Sequence, residues 1–320
     1  MNPPREPLVL PLQVESLRDL EFRLGIDRKE LRALAENWKD HYSPFQQEKK
    51  TRPHQRTTKA AKVRYIDNPS RELKLVQKRI LVRLLHPIKL PHFIFGAVSE
   101  RCIRKHAQEH IGAKLVVKMD VKDYYPSINC RHVYGVFRRI LLCAPPIAKL
   151  LTQLTTYNWH LPQGSPTSPA LANIFLASIY SPVLSACEDC QITPTAWVDD
   201  LIFSGDKARS VMELVRRTLA EHGLKLSAKK RVVLNGRDPK EIAGVRMGAT
   251  KLRAKKKTLH DIRAGIHNWK NGRVTERGRE KDLSSLQGQI AHVRSICPSD
   301  AVPLEKRLKL ALTGALHPRL

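Results

Sequence analysis

Residues 115–128 read LVVKMDVKDYYPSI and residues 193–206 read TPTAWVDDLIFSGD. The first is a β-prone apolar run that ends at Asp120 and then turns at DYYPS. A carboxylate inside an apolar strand is costly to bury unless a hydrogen-bond set or a cation neutralises it. An aspartate at a strand end can also simply cap the following turn. The second stretch reads as two short strands joined at Asp199-Asp200. Paired acids at a hairpin tip are ordinary turn residues. Set between Trp-Val and Leu-Ile-Phe, however, they repel one another in poor solvent, and a divalent ion removes both penalties. Three aspartates at two neighbouring strand ends would form a hard, oxygen-only site suited to Mg²⁺. Such sites hold two ions about 3.5–4 Å apart, clamping the attacking and departing oxygens of a phosphoryl transfer.

Between these stretches, LPQGSPTSPALANIFLASIY (161–180) opens as a proline-rich loop and becomes a helix, with Thr167 or Ser168 as cap and Pro169 in the first turn. Helices are expected up to about residue 142 and over 146–157. Upstream, KVRYI is strand-like, DNPS a turn, and RELKLVQKRILVRLL a helix broken by Pro87 and Pro91. A further helix is expected over 99–110. Residues 14–40 read as two helices, the second opened by Asp27 and Glu30 in a capping-box-like pattern. Residues 43–61 are polar and basic and read as a loop or arm. Downstream, a helix is expected at 207–222 and strands at 232–234 and 241–247. From Lys251, KLRAKKK carries five basic residues in seven, and helical patterns follow to the end.

The 320 residues carry 57 Lys plus Arg against 30 Asp plus Glu, a formal charge of +27. Hydrophobic residues make up 42%, enough for a packed core, which excludes wholesale disorder. No run approaches the roughly 18 apolar residues of a membrane span. The amino terminus has no signal-peptide pattern, and six irregularly spaced cysteines do not read as a secreted disulfide framework. The expectation is a cytoplasmic protein, without a membrane partner, whose charge favours nucleic acid.

Three motifs combine into something specific: MDVKDYYPSI at 119–128, LPQGSPTSPALAN at 161–173 and WVDDLIFSG at 197–205. In this order they resemble the palm motifs of reverse transcriptases, over roughly residues 60–250. The resemblance implies an α+β right-hand polymerase fold: an N-terminal helical extension and basic arm (1–60), fingers (61–114), a palm with an antiparallel sheet (115–250, with fingers helices inserted at about 143–160) and a basic helical thumb (251–320). It implies that Asp120, Asp199 and Asp200 are catalytic and bind two Mg²⁺ ions, with Mn²⁺ as a substitute and Val121 contributing its carbonyl. Tyr125 would lie under the sugar and exclude a 2′-hydroxyl. Gln163 and Gly164 would sit beside the incoming dNTP and template, and Lys62 and Arg64 would grip the triphosphate.

The whole chain resembles the compact bacterial retron type. The opening motif is YIDNPSRELKLVQ, and HAQEH at 106–110 resembles the Asn-Ala-x-x-His signature with His106 in place of Asn. Ile242-Ala243-Gly244 resembles the Val-Thr-Gly triplet. The resemblance implies copying of a structured non-coding RNA template-primer into DNA as a branched RNA–DNA hybrid, msDNA, and a role in antiphage defence beside an effector protein from the same locus. RNA contacts would come from His106 and His110 and from Lys251, Arg253, Lys255, Lys256 and Lys257. Rival readings are a group II intron-like or diversity-generating reverse transcriptase, and a catalytically idle RNA-binding scaffold that holds an effector.

Overall fold

The computed structural model describes residues 12–48, 63–236, 238–271 and 276–315. The chain divides into two compact units, one formed by residues 1–100, 118–202 and 207–232, the other by 101–117, 203–206 and 233–320.

The first unit opens with two short helices. Ser16 caps Leu17–Leu24, which ends at left-handed Gly25, and the Asp27 carboxylate caps Arg28–Glu36 by accepting from the Lys29 amide. Strand β1 (Tyr42–Glu48) follows and pairs antiparallel with β2 (Val63–Pro69), from Tyr42 opposite Pro69 to Glu48 opposite Val63. Two expectations are corrected here. The start of the supposed arm is a strand, and the supposed DNPS turn is the end of β2. Both were hidden because β1 is exposed beyond Tyr42 and carries no apolar alternation. Ser70 caps Arg71–Ile80, which continues as a π turn over Leu81–Leu85. Buried Gln77 donates both to the Tyr42 hydroxyl and to the Leu154 carbonyl, at 2.9 Å each. This ties β1, the Arg71–Ile80 helix and the helix Pro145–Thr155 together.

Strands β3 (Val116–Asp120), β4 (Thr193–Trp197), β5 (Asp200–Ser204) and β6 (Val232–Leu234) form a sheet in the order β4-β5-β3-β6. The helix Ser168–Ile179 is buried on nearly every side, as its uniformly apolar sequence requires. Thr167 holds its N-cap position without a side-chain cap bond, because its hydroxyl pairs with Ser165; Ser168 donates to the Pro162 carbonyl instead. Among the described residues no single helix is long and apolar enough to cross a membrane; Ser168–Ile179 with Ser181–Asp189 passes by composition only as a pair bent by 60°. The helix expected from 207 begins at Met212, after turns.

In the second unit, the strand expected at 241–247 is a hairpin. Strands β7 (Lys240–Ile242) and β8 (Val245–Met247) flank Ala243 and Gly244, both left-handed as a tight hairpin turn demands. Strand β9 (Leu252–Ala254) extends the sheet from within the basic run expected to be helical. Leu252 and Ala254 are buried and Arg253 is exposed, a period of two that the surrounding lysines masked. Helices Lys256–Lys270, Glu276–Ile296 and Pro298–Ala315 then pack around Ile262, Ile266, Trp269, Ile290, Val293 and Leu304.

Candidate active site

Backbone pairing brings distant acids together. The Val121 amide, just past β3, donates to the Asp199 carbonyl at 2.9 Å, which fixes the end of β3 against the β4–β5 turn. On the other side, Ser227 donates to the Asp120 carbonyl and Lys122 to the Lys225 carbonyl, both at 2.8 Å. The β4–β5 turn is itself forced. Val198 is left-handed (φ 57°), a costly state for a β-branched residue. Gly96 lies against it, where a Cβ would fall 2.5 Å from the Val198 amide nitrogen. Asn173 donates to the Gly96 carbonyl at 2.8 Å, so the buried helix holds the segment that braces the turn.

Asp120, Val121, Tyr125, Gln163 and Asp199 line a cleft of about 710 Å³, with Arg64 of β2 exposed on its wall. Asp120 is 4% exposed. Burial raises the Asp199 carboxyl above its ordinary range, and Asp120, within side-chain hydrogen-bonding reach, raises it further. Asp200 opens β5 beside them, outside the cleft lining; burial and then the charges of Asp199 and Asp120 raise it too. Tyr125 is pushed up to about 12 by burial and by Asp199. Its neighbour Tyr124 is buried and donates to the Ala172 carbonyl, which anchors the turn.

The expected gathering of three acids around an ion is not preassembled. Among the described residues no group of three His, Cys, Asp or Glu side chains is placed to hold a metal. The partner of Asp120 is instead Lys230, with Nζ 2.5 Å from Oδ2. A hard divalent cation still fits the donors: they are oxygen only, Asp120 is buried, and the half-buried Asp199 and Asp200 carboxyls are raised by burial and then by neighbouring acidic charge. Lys230 is a residue that sequence reasoning missed. One more lysine in so basic a chain carries no signal, and its partner lies 110 positions away.

Gln163 and Gly164 are held against β2. The Asp67 amide donates to the Gln163 carbonyl (2.8 Å), and the Gln163 amide donates to the Asp67 carboxylate (3.0 Å). Gly164 adopts φ 142°, and a Cβ there would meet the Asp67 carbonyl oxygen at 2.6 Å. Lys62 lies outside the described residues. His106 and His110 are corrected as RNA contacts: at 0% and 1% exposure both face the interior, with His110 bonded to Ser204. The basic run is corrected in part. Arg253 pairs with Asp300 at 2.8 Å and Lys255 with Glu241 at 2.7 Å, whereas Lys251, Lys256 and Lys257 are exposed.

Fold and motifs together define a template-copying nucleic-acid polymerase of the α+β, right-hand kind. The chain belongs to the reverse transcriptase (RNA-dependent DNA polymerase) family, whose model matches residues 48–259, and it is of the retron type. It is similar to the retron Ec86 reverse transcriptase of Escherichia coli, with 28% identity covering 90% of this chain and 87% of that one. It is also similar to the retron Se72 reverse transcriptase of Salmonella heidelberg, with 29% identity covering 70% and 59%. A solved foamy viral protease-reverse transcriptase in complex with double-stranded DNA aligns at TM-score 0.45 and 16% identity, over 79% of this chain and 37% of that one. Membership makes the chain an RNA-directed DNA polymerase with nucleic-acid partners and, by the family's chemistry, a requirement for a divalent cation.

Proposed function

We propose that this reverse transcriptase copies part of a structured non-coding RNA into DNA from a primer within the same RNA, giving msDNA, and that it does so in the cytoplasm, in antiphage defence beside an effector protein encoded nearby. The observation that carries the chemistry is the convergence of Asp120 and Asp199 at one wall of the cleft, with Asp200 adjoining. On this reading Asp120, Asp199 and Asp200 hold Mg²⁺, or Mn²⁺ in its place, with the Val121 carbonyl beside them. The bound ions would lower the pKa of the primer hydroxyl and neutralise charge on the departing pyrophosphate. Arg64 and Lys62 orient the triphosphate, and Lys230, paired with Asp120, supplies a further cation beside the acids. Gln163 and Gly164 flank the nucleotide, and the Tyr125 ring occupies the space a 2′-hydroxyl needs, so dNTPs are selected by exclusion. On the same plan residues 61–114 act as fingers, 115–250 as palm with fingers helices inserted at about 143–160, and 251–320 as thumb.

The double variant Asp199→Asn with Asp200→Asn tests the site. dNTP incorporation should fall about a thousandfold or more, since several kcal/mol of charge stabilisation are lost. RNA affinity and thermal stability should hold, because two mutually repelling charges have been removed. Undiminished synthesis by that variant would refute the assignment. The retron product is tested by isolating the protein from its native locus with its bound nucleic acid. A 2′-branched RNA–DNA supports the reading, and linear RNA alone defeats it.

A further inference from the structure

Beside the catalytic cleft, and within the same compact unit, lies a second cavity of about 740 Å³ that includes Trp38, Arg131, Tyr134, Arg139, Lys149 and Trp159 in its lining. One of its aromatic residues is presented rather than packed away. Trp159 is 67% exposed. It occupies the second position of a two-residue turn, closed by reciprocal hydrogen bonds between Tyr157 and His160 at 2.9 and 3.0 Å. Asn158 and Trp159 are both left-handed, at φ 45° and 69°. Such turns place asparagine and then glycine there, because a side chain at the second position is strained. A tryptophan in the glycine position is held outward at a conformational cost that folding does not require.

The base of the turn is rigid. The Tyr157 ring stacks on Tyr42 at 4.3 Å and meets Trp38 edge-on at 6.0 Å. Around this platform Arg131, Arg139 and Lys149 are exposed, and among the described residues none of the three is in an ion pair. His132, also in the lining, is driven below its ordinary pKa by burial, then by His222 and Arg139, so it presents a neutral ring. The turn also joins this cavity to the catalytic one. His160, the residue after Trp159, lines the catalytic cleft.

An exposed aromatic face among unpaired cations fits unpaired nucleotides, with a base on the ring and phosphates on the cations. An acidic protein surface would use the cations but leave a strained, solvent-facing tryptophan unexplained. We propose that this cavity binds an unpaired segment of RNA outside the catalytic cleft, with a base stacked on Trp159 and phosphates held by Arg131, Arg139 and Lys149. The proposal rests on the reading that structured RNA is the strand this enzyme copies, and it adds a place where that RNA is gripped away from the chemistry.

The test uses the full chain and an unstructured RNA oligonucleotide of about 12 nucleotides. Affinity is measured by anisotropy across a salt series, and stacking by quenching of tryptophan fluorescence. Trp159→Ala should weaken binding about tenfold and remove most of the quenching, while Trp159→Phe should bind within about threefold of the parent. Arg131→Ala with Lys149→Ala should reduce the logarithmic salt slope by about 1.4, or 0.7 for each phosphate released. Trp159 is exposed, so unchanged melting temperatures would exclude misfolding as the cause. Parental affinity in Trp159→Ala would overturn the proposal and leave the cavity to a protein partner. A loss seen equally with duplex RNA, or only with single-stranded DNA, would also overturn it. The catalytic reading stands or falls separately, on dNTP incorporation by the Asp199 and Asp200 variant.

Discussion

His110 lies with Nδ1 2.7 Å from the Ser204 hydroxyl and its ring 5.9 Å from that of His106. Burial, and secondarily the neighbouring His106, drives its pKa down to about 3. It is therefore neutral in the fold, whereas in the unfolded chain it protonates near its ordinary value of about 6.5. Below that value the unfolded state binds the extra proton, so stability is full above about pH 6.5 and is lost as pH falls toward 3. Between pH 7.5 and 5 the loss from this one residue should be about 2 kcal/mol. His110→Gln should flatten that part of the pH–stability curve, as read by denaturant titration at both pH values. An unchanged slope would mean that the ring is solvated after all. The residue pattern His-x-x-x-His was visible in the sequence. Burial reverses its meaning from an RNA contact to an interior pair.

Among the elements, the junction between β2 and the Gln163-Gly164 loop shows how a loop acquires a fixed place. Two hydrogen bonds link Asp67 with Gln163, and Gly164 passes too close to the Asp67 carbonyl for any side chain. Gly164→Ala should force the loop off β2 and cost about 1–3 kcal/mol of stability, because the positive φ and the clash act together. In steady-state kinetics the KM for dNTP should rise by more than kcat falls, since on the proposed reading this loop flanks the nucleotide while the acids remain. A proportional loss in kcat alone would place the damage in the chemistry. The glycine stood out in the motif as a position beside the incoming nucleotide. What it approaches did not, because Asp67 read as part of a turn and is in fact the fifth residue of a strand.

For the molecule as a whole, the charge of +27 is not one uniform field. Arg253 and Lys255 are engaged with Asp300 and Glu241, while Lys251, Lys256 and Lys257 stay exposed. Lys256→Glu with Lys257→Glu should lower RNA affinity and reduce the logarithmic salt slope by about 1.4–1.8 without lowering the melting temperature. Arg253→Glu should lower the melting temperature instead, because the Asp300 carboxylate, which also accepts from the Ala254 amide, would face a like charge. Equal behaviour of the two variants would mean that the exposed lysines are a solvated charged face and no RNA contact. Local information in the chain was enough for the order of the three motifs, the capped helices, the apolar core helix and the family they define, because each depends on neighbours within a few residues. Only the tertiary structure decided that β1 pairs with β2, that Lys230 reaches Asp120, that the histidines are interior and that Trp159 stands out beside the cleft. Those outcomes depend on burial and on contacts between residues far apart in the chain, which periodicity and composition do not encode.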